Sequence, residues 1–159
     1  MELETVFVRQ LDLSRETERE ALYDLRWRVL REPLGLARGT EQIAADPDPA
    51  TIHLGAFVAP ARLVGCATLV RTGGDLQLRA MAVDPASQGA GVGAAILREA
   101  AQVAANANVR RSLWCEARAH AVGFYQRAGW VVESGPFEVP QIGPHYRMRL
   151  SLPQPEGPG

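Results

Sequence analysis

Gln88-Gly89-Ala90-Gly91-Val92-Gly93 is a glycine-rich stretch that lies between a predicted strand and a predicted helix. The residues from Leu78 to Val83 alternate as in a half-buried strand, and Asp84-Pro85 interrupts them. Apolar residues then recur at helical spacing, at Val92, Ala95, Ile96, Ala100 and Val103. The first N–H groups of a helix have no intrahelical partner, and glycines let an anion approach them. The stretch therefore predicts a diphosphate site.

The glycine spacing alone does not identify the kind of site. A tight turn or close helix packing would also select glycine, and this structural alternative stays open. A P-loop is excluded because no Lys-Ser/Thr pair follows the last glycine. A dinucleotide-binding fold is disfavoured, because the turn lies past mid-chain and residues 108–113 offer no acidic residue at the expected spacing.

The stretch resembles the acetyl-CoA-binding motif of the GNAT superfamily of N-acyltransferases, Arg/Gln-x-x-Gly-x-Gly/Ala, with Gln88, Gly91 and Gly93 in register. A second block, from Leu113 to Trp130, is similar to the fifth strand and following helix of the family. It contains the signature Ala-x-x-Phe-Tyr-x-x-x-Gly-aromatic. The resemblance covers residues 51–152 well and the first 50 in outline.

The order of predicted elements agrees with this resemblance. A helix is predicted at 15–31, and another follows the glycine turn. Strands are predicted at 4–9, 51–58, 62–71, 75–83 and 111–116, then a helix at 119–128 and strands at 130–138 and 145–152. The resemblance implies an α/β (α+β) fold: a mixed, mostly antiparallel sheet of six or seven strands flanked by helices, with strands 4 and 5 splayed for CoA. We expect one domain at 1–152 and a frayed tail at 153–159.

The first helix and the segment after it bear on the acceptor. Leu22, Leu25 and Val29 form its predicted apolar stripe. Its arginines, at positions 26, 28 and 31, are interpreted as a solvated face, with contact to a substrate carboxylate as the alternative. Residues 33–49 are rich in Gly, Pro and Asp and predict a mobile loop, which in the family covers the acceptor site.

Composition predicts a compact cytoplasmic enzyme. The net charge is −1 with a sequence pI near 6.3, which gives no field for nucleic acid or an anionic membrane. We expect no metal, and we interpret Cys66 and Cys115 as buried thiols rather than as a disulfide or metal pair. All 17 basic residues are arginine, which is typical of a GC-rich genome. A homodimer is left open.

The resemblance also implies how the cofactor is held. Pantetheine would bond to the strand backbone near Ala82 and Val83, and an N–H near Met81 or Val83 would stabilise the oxyanion. Tyr125 matches the tyrosine that lies beside the CoA sulfur, and we expect it to protonate the CoA thiolate. The predicted cofactor-binding residues are Met81, Ala82, Val83, Gln88, Gly89, Ala90, Gly91, Val92, Gly93 and Tyr125.

The base that deprotonates the amine is less defined. Histone-type members carry a glutamate on the fourth strand where this chain has Gln77, and an amide cannot accept that proton. The remaining candidates are Glu116, Glu138 and His145. The segment from Phe137 to Met148 resembles a Glu-x-x-Gly-Ile-Pro-His-x-x-Met pattern of some bacterial small-molecule-type members, with a slightly different spacing. We expect His145 to accept the proton and Glu138 to orient it or attract the amine.

The sequence thus predicts an acetyl-CoA-dependent N-acetyltransferase that acts on a small-molecule primary amine by direct transfer. One alternative is acetylation of a protein or peptide amine. The other is a non-catalytic module that binds acyl-CoA as a sensor.

Overall fold

The described residues of the computed structural model, 5–107 and 112–152, form seven strands and three α-helices. The strands are β1 (Val6–Leu11), β2 (Ile52–Val58), β3 (Arg62–Thr72), β4 (Asp75–Val83), β5 (Ser112–Arg118), β6 (Val131–Val139) and β7 (Gly143–Ser151). The α-helices are α1 (Glu16–Arg26), α2 (Val92–Asn106) and α3 (Val122–Arg127). A π-helix, Trp27–Arg31, continues α1, and short 3-10 turns lie at Glu32–Leu34, Pro85–Ser87 and Ala119–Ala121.

The chain groups into two compact units. The first comprises Met1–Val70 and Leu78–Ala100, and the second comprises Arg71–Gln77 and Ala101–Gly159. The boundary falls inside β3, β4 and α2.

In the first unit the strands follow the order β1-β2-β3-β4. β1 and β2 pair antiparallel, as do β2 and β3, which agrees with the mostly antiparallel sheet that was expected. α1 and the π-helix cover one face of these strands. Leu22 and Leu25 are fully buried there against Phe57, Cys66 and Ala82.

α2 covers the opposite face of the same strands and approaches β3 closely. A Cβ atom on Gly65 would lie 2.7 Å from Val92 Cγ1 and 2.8 Å from Ile96 Cδ1. Val92 and Ile96 are both buried, so their side chains occupy the volume that a larger residue at position 65 would need. This contact fixes the start of α2, and with it the glycine turn, relative to β3.

In the second unit the order is β5-β7-β6, and both pairs are antiparallel. One face of β5 and β7 is apolar and holds Leu113, Cys115 and Met148, all buried. The other face is polar, and two arginine side chains on it contact neighbouring side chains. Arg149 bonds to Glu133 and Asp75, and the Arg147 guanidinium lies over the Trp114 ring, 3.9 Å from its centroid.

The mixed α/β class with a mostly antiparallel sheet is confirmed, and so are the strands at 51–58, 62–71 and 75–83, to within a residue. The helix predicted at 15–31 forms over Glu16–Arg31, with α-helical bonding to Arg26 and π-helical bonding over Trp27–Arg31. One interpretation of this helix is wrong: Arg26 is not solvated, because its side chain is fully buried. The single domain at 1–152 and the splay of strands 4 and 5 stay predictions.

The predicted helix at 119–128 forms as a 3-10 turn followed by the six-residue α3. The tail at 153–159 and the predicted strand start at residue 111 lie outside the described residues. Within the described part of the chain, none of the helices has the length and apolarity to cross a bilayer.

Candidate active site

The glycine turn, residues 88–91, leads directly into α2 at Val92. The N–H of Ala95 donates to the carbonyl of Gly91 over 3.0 Å, so Gly91 precedes the first helical turn. The N–H groups of residues 92–94 therefore have no acceptor within the helix. With the positive end of the helix dipole, these groups form a place where an anion is stabilised.

Two positions of this turn favour glycine because their backbone is left-handed. Gly89 has φ 86° and Gly91 has φ 81°. Both residues are exposed, and a Cβ atom built on either one meets no atom within 4 Å. The space beside these two glycines is therefore open. Gln88 has a structural role here, because its Nε2 donates to the carbonyl of Val83 over 3.2 Å and ties the turn to the end of β4.

β4 contains a backbone irregularity that the sequence did not indicate. Ala80 has φ 51°, a conformation that is uncommon for any residue but glycine, and it lies inside the strand just before Met81. The Cys66 Sγ donates to the Ala80 carbonyl over 3.6 Å. Ala82 is buried against α1, whereas Met81 and Val83 are half-buried. The irregularity sits at the residues that the resemblance assigns to pantetheine and oxyanion binding.

Tyr125 lies in α3 and is buried, with its ring edge-on to the rings of Phe124 and Trp130. Burial raises the pKa of Tyr125, and the nearby Cys115 thiol acts in the same direction. Even an ordinary phenol, with a pKa of about 10, is a weaker acid than a thiol at about 8.5. Complete proton transfer from Tyr125 to a thiolate is therefore unfavourable. A hydrogen bond to the sulfur is the role that this environment supports.

The three candidate bases occupy different positions in the second unit. His145 is buried on β7, and Glu116 and Glu138 are exposed on β5 and β6. His145 pairs with Phe137, while Glu138 pairs with Pro144. Because neighbouring residues of a strand face opposite sides of a sheet, Glu138 and His145 project to opposite faces. The expectation that Glu138 orients His145 is therefore wrong.

The hydrogen bond of His145 defines its tautomer. Nδ1 lies 2.9 Å from the carbonyl oxygen of Gly143. A carbonyl can only accept, so Nδ1 carries the proton of the neutral ring and Nε2 keeps its lone pair. Glu116 is opposite Arg147 in the register, on the same face of the sheet as His145. Of the three candidates, His145 thus has a defined proton-accepting atom.

A buried polar network in the first unit was missed by the sequence analysis. Arg26 Nη1 and Nη2 donate to the two carboxylate oxygens of Asp46 at 2.9 and 3.0 Å, and Nη2 also donates to Thr68 Oγ1 at 2.7 Å. Nη1 reaches the Glu41 carbonyl, so one guanidinium holds the segment 41–46 against β3. The burial of Arg26 could have been predicted from helical spacing, because position 26 follows Leu22 by four residues and so lies on the same buried face of the helix.

The two cysteines agree with the expectation of buried thiols. Cys66 and Cys115 are both free and buried, which confirms two buried thiols. Burial raises the pKa of Cys66 to about 11 and that of Cys115 to about 12, so neither is a ready nucleophile near neutral pH. Over residues 5–107 and 112–152, His, Cys, Asp and Glu side chains form no cluster that could hold a metal ion.

Known proteins similar to this chain agree with one another. The family model described as an acetyltransferase (GNAT) domain matches residues 37–152. YitI of Bacillus subtilis (strain 168), an uncharacterized N-acetyltransferase, is 30% identical over 142 residues, which cover 84% of this chain and 91% of YitI.

Two solved structures show the same fold. The ribosomal-protein-S18-alanine N-acetyltransferase of Escherichia coli superposes with a TM-score of 0.74 at 18% identity, covering 98% of this chain and 99% of that one. An aminoglycoside 6′-N-acetyltransferase complexed with coenzyme A gives a TM-score of 0.74 at 15% identity, with 94% and 99% covered. The family model, which matches residues 37–152, and the 30% identical relative show that the chain belongs to the GNAT family of acetyltransferases.

Proposed function

We propose that this acyltransferase moves an acetyl group from acetyl-CoA directly to the primary amine of a small molecule. The observation that carries the proposal is the exposed glycine turn at the start of α2, where left-handed glycines leave the first helical N–H groups open. Acetyl-CoA would supply the thioester, and its pyrophosphate matches these donors in charge and in the space required.

The chain's own groups would then serve the transfer in three ways. An N–H of Met81 or Val83 would donate to the carbonyl oxygen that gains charge as the amine attacks. The Ala80 conformation supports this role, because it breaks the regular strand just before these two residues. The Tyr125 hydroxyl would donate a hydrogen bond to the departing sulfur without giving up its proton completely.

His145 is the proposed base. Its Nδ1–H···O bond to Gly143 leaves Nε2 free to accept the proton of the incoming ammonium group, directly or through water. If this is correct, His145→Ala lowers kcat/KM, because the incoming ammonium group loses its proton acceptor. If His145→Ala keeps the wild-type kcat/KM but Glu116→Gln lowers it, the base is on β5.

The proposed function is tested by binding and turnover together. Calorimetry should detect acetyl-CoA binding to the wild type, and a panel of amines should release free thiol with acetyl-CoA. Gly91→Glu should abolish binding, since it puts a carboxylate in front of the helix N–H groups. Gly73→Glu is the matched control, because Gly73 also has positive φ and open space but lies at the other end of β4.

Each result separates the alternatives. Thiol release with small amines supports the proposal. Release with peptide or protein amines alone would assign a protein acceptor instead. Binding without turnover on any amine would indicate an acyl-CoA sensor. If the wild type fails to bind acetyl-CoA, or Gly73→Glu loses binding as fully as Gly91→Glu, the assignment of the turn is wrong.

A further inference from the structure

Asp84 lies between the end of β4 and the glycine turn, and its backbone is held by β3. The N–H of Asp84 donates to the carbonyl of Val64 over 2.8 Å, which continues the contact of β4 with β3 by one residue. Val64 is fully buried, so this bond joins Asp84 to the interior of the first unit. The chain therefore leaves the strands at a residue whose position is well defined.

Two oxygen atoms of Asp84 organise the residues that follow it. Oδ1 accepts from the Ala86 N–H at 3.0 Å, and the main-chain carbonyl accepts from the Ser87 N–H at 2.8 Å. These bonds form the 3-10 turn Pro85–Ser87. The Ser87 carbonyl then accepts from the Ala90 N–H at 3.4 Å. A continuous set of hydrogen bonds thus runs from β3 through Asp84 to the glycine turn.

The glycine turn contributes little to holding its own position. Gly89 and Gly91 are exposed and have no side chains that could pack on a neighbour. Glycine also loses more conformational freedom than any other residue when it is ordered. A ligand binds more tightly where the groups that face it are held in place beforehand. The affinity of this turn for a diphosphate should therefore depend on the hydrogen bonds that Asp84 makes.

The charge of Asp84 opposes the binding of an anion nearby, and Arg28 offsets it. A carboxylate and a diphosphate repel each other, and this repulsion falls only slowly with distance. Arg28 Nη1 lies 3.6 Å from Asp84 Oδ2, the carboxylate oxygen that does not bond to Ala86. The Arg28 Nε donates to Asp24 Oδ2 over 2.8 Å, which fixes the guanidinium on the helix. The π-helix thus places a cation beside the carboxylate that supports the turn.

We propose that Asp84 is a positioning residue for the acetyl-CoA site and that Arg28 balances its charge. The inference rests on the proposed function, in which the glycine turn binds the pyrophosphate of acetyl-CoA. Oδ1 of Asp84 holds the chain that leads into the turn, and Arg28 reduces the repulsion between Oδ2 and the pyrophosphate. One effect depends on a hydrogen bond and the other on charge, so substitutions can separate them.

Asp84→Ala and Asp84→Asn separate the hydrogen bond from the charge, and calorimetry with acetyl-CoA measures the Kd of each variant. Asp84→Ala removes the acceptor of the Ala86 N–H. We expect its Kd to rise about fivefold, as for the loss of a side-chain cap at the start of a helix. Asp84→Asn keeps a side-chain oxygen that can accept this bond and removes the charge. Its Kd should therefore equal the wild-type value or lie below it.

Asp12→Ala is the matched control, because Asp12 makes the same two bonds elsewhere in the first unit. Its Oδ1 accepts from the Ser14 N–H at 3.0 Å, and its carbonyl accepts from the Arg15 N–H at 3.1 Å. Asp12 follows β1, which two strands separate from β4. Both alanine variants should lose a similar amount of stability in urea, but only Asp84→Ala should weaken acetyl-CoA binding.

Arg28→Gln tests the balance of charge. It removes the cation beside Asp84, and we expect the Kd of acetyl-CoA to rise about twofold to fivefold, the range for a partly exposed ion pair. Adding Asp84→Asn removes the unbalanced carboxylate as well and should restore the Kd of Asp84→Asn alone. Arg9→Gln is the control, because Arg9 also forms a partly exposed ion pair, with Glu18, but lies on β1. It should bind acetyl-CoA as the wild type does.

Kinetics separate a positioning role from a general loss of structure. In Asp84→Ala the KM for acetyl-CoA should rise, while the KM for the amine and kcat at saturating acetyl-CoA stay near the wild-type values. The inference is overturned if Asp84→Ala binds acetyl-CoA as tightly as the wild type, or if Asp84→Asn binds as weakly as Asp84→Ala. Equal weakening in Asp12→Ala would overturn it too.

The Arg28 variants keep the inference testable even if Asp84→Ala does not fold. A wild-type Kd in Arg28→Gln, or a double variant that binds as weakly as Arg28→Gln, overturns the role of the charge pair. All these outcomes presuppose a wild type that binds acetyl-CoA. If the wild type itself does not bind, the proposed function fails and this inference fails with it, whereas wild-type binding with unaffected Asp84 and Arg28 variants refutes the inference alone.

Discussion

Two buried histidines of this enzyme have different chemistry because their hydrogen bonds differ. His145 bonds through Nδ1 to Gly143, and its Nε2 keeps a lone pair. In His53, Nδ1 lies 2.9 Å from Thr68 Oγ1 and Nε2 lies 3.2 Å from the Asp46 carbonyl. Since that carbonyl can only accept, Nε2 donates and Nδ1 accepts from Thr68. His53 is therefore a structural residue, and His145 is suited to accept a proton.

At His53 the consequence is a pH-dependent stability. Burial lowers the pKa of His53, and the Arg26 charge adds to the effect despite the opposing hydrogen bond to Asp46. The unfolded chain, with a histidine pKa of about 6.5, then binds the proton more readily than the folded one. The contribution of His53 to the free energy of unfolding is therefore complete above about pH 6.5. It decreases as the pH falls toward the lowered pKa of His53 in the folded state.

We therefore expect His53→Gln to flatten the dependence of the unfolding free energy on pH between about 7.5 and 5. Urea denaturation at several pH values measures this slope. The exposed His120→Gln serves as control and should leave the slope as in the wild type. Equal slopes in His53→Gln and the wild type would contradict the assignment.

Tyr125 is tested by removal of its hydroxyl. Tyr125→Phe keeps the ring that packs on Phe124 and Trp130, so we expect a nearly unchanged affinity for acetyl-CoA. A lost hydrogen bond to the developing thiolate should lower kcat by about tenfold to a hundredfold. Steady-state kinetics with a good acceptor measures both values. An unchanged kcat would mean that Tyr125 only packs.

At the scale of elements, the glycine turn and most strands could be predicted because their signals are local. Gly89 and Gly91 mark a turn by residue type, and the alternation around Leu78 marks β4. The left-handed Ala80 could not be predicted, since alanine carries no preference for that conformation. The change to π-helical bonding after Arg26 could not be predicted either, since a single-sequence pattern does not distinguish π-helical from α-helical bonding.

The packing of α2 on β3 gives a prediction for stability. Gly65→Ala introduces a Cβ atom within 3.0 Å of Val92 and Ile96, and we expect it to cost about 1–3 kcal/mol. Gly123→Ala is the matched control, because its Cβ atom would meet only Arg127 Nη1, at 3.5 Å, inside a helix. That change should be neutral or stabilise the fold by about 0.5–1 kcal/mol. Chemical denaturation compares the two, and equal effects would contradict the close packing.

At the scale of the whole molecule, ligand binding and stability are linked. Acetyl-CoA at a concentration about 100 times its Kd should raise the unfolding free energy by about 2.7 kcal/mol. For a chain of this length such a gain corresponds to a Tm increase of about 5–10 °C. Differential scanning fluorimetry measures the shift. The increase should be absent in Gly91→Glu and retained in Gly73→Glu, and its absence in the wild type would contradict acetyl-CoA binding.

The π-helix Trp27–Arg31 also has a consequence for how the chain length can vary. Successive side chains of an α-helix differ in direction by about 100°. Inserting or deleting one residue therefore rotates all the side chains that follow it around the helix axis by that angle. The wider π-helical turn accommodates one additional residue while Arg26 stays directed at the core. Deleting one residue between 27 and 30 would restore a regular helix and rotate Arg31 away from its present direction. Related chains that differ by one residue in this segment should therefore differ in which side chain occupies the position of Arg31.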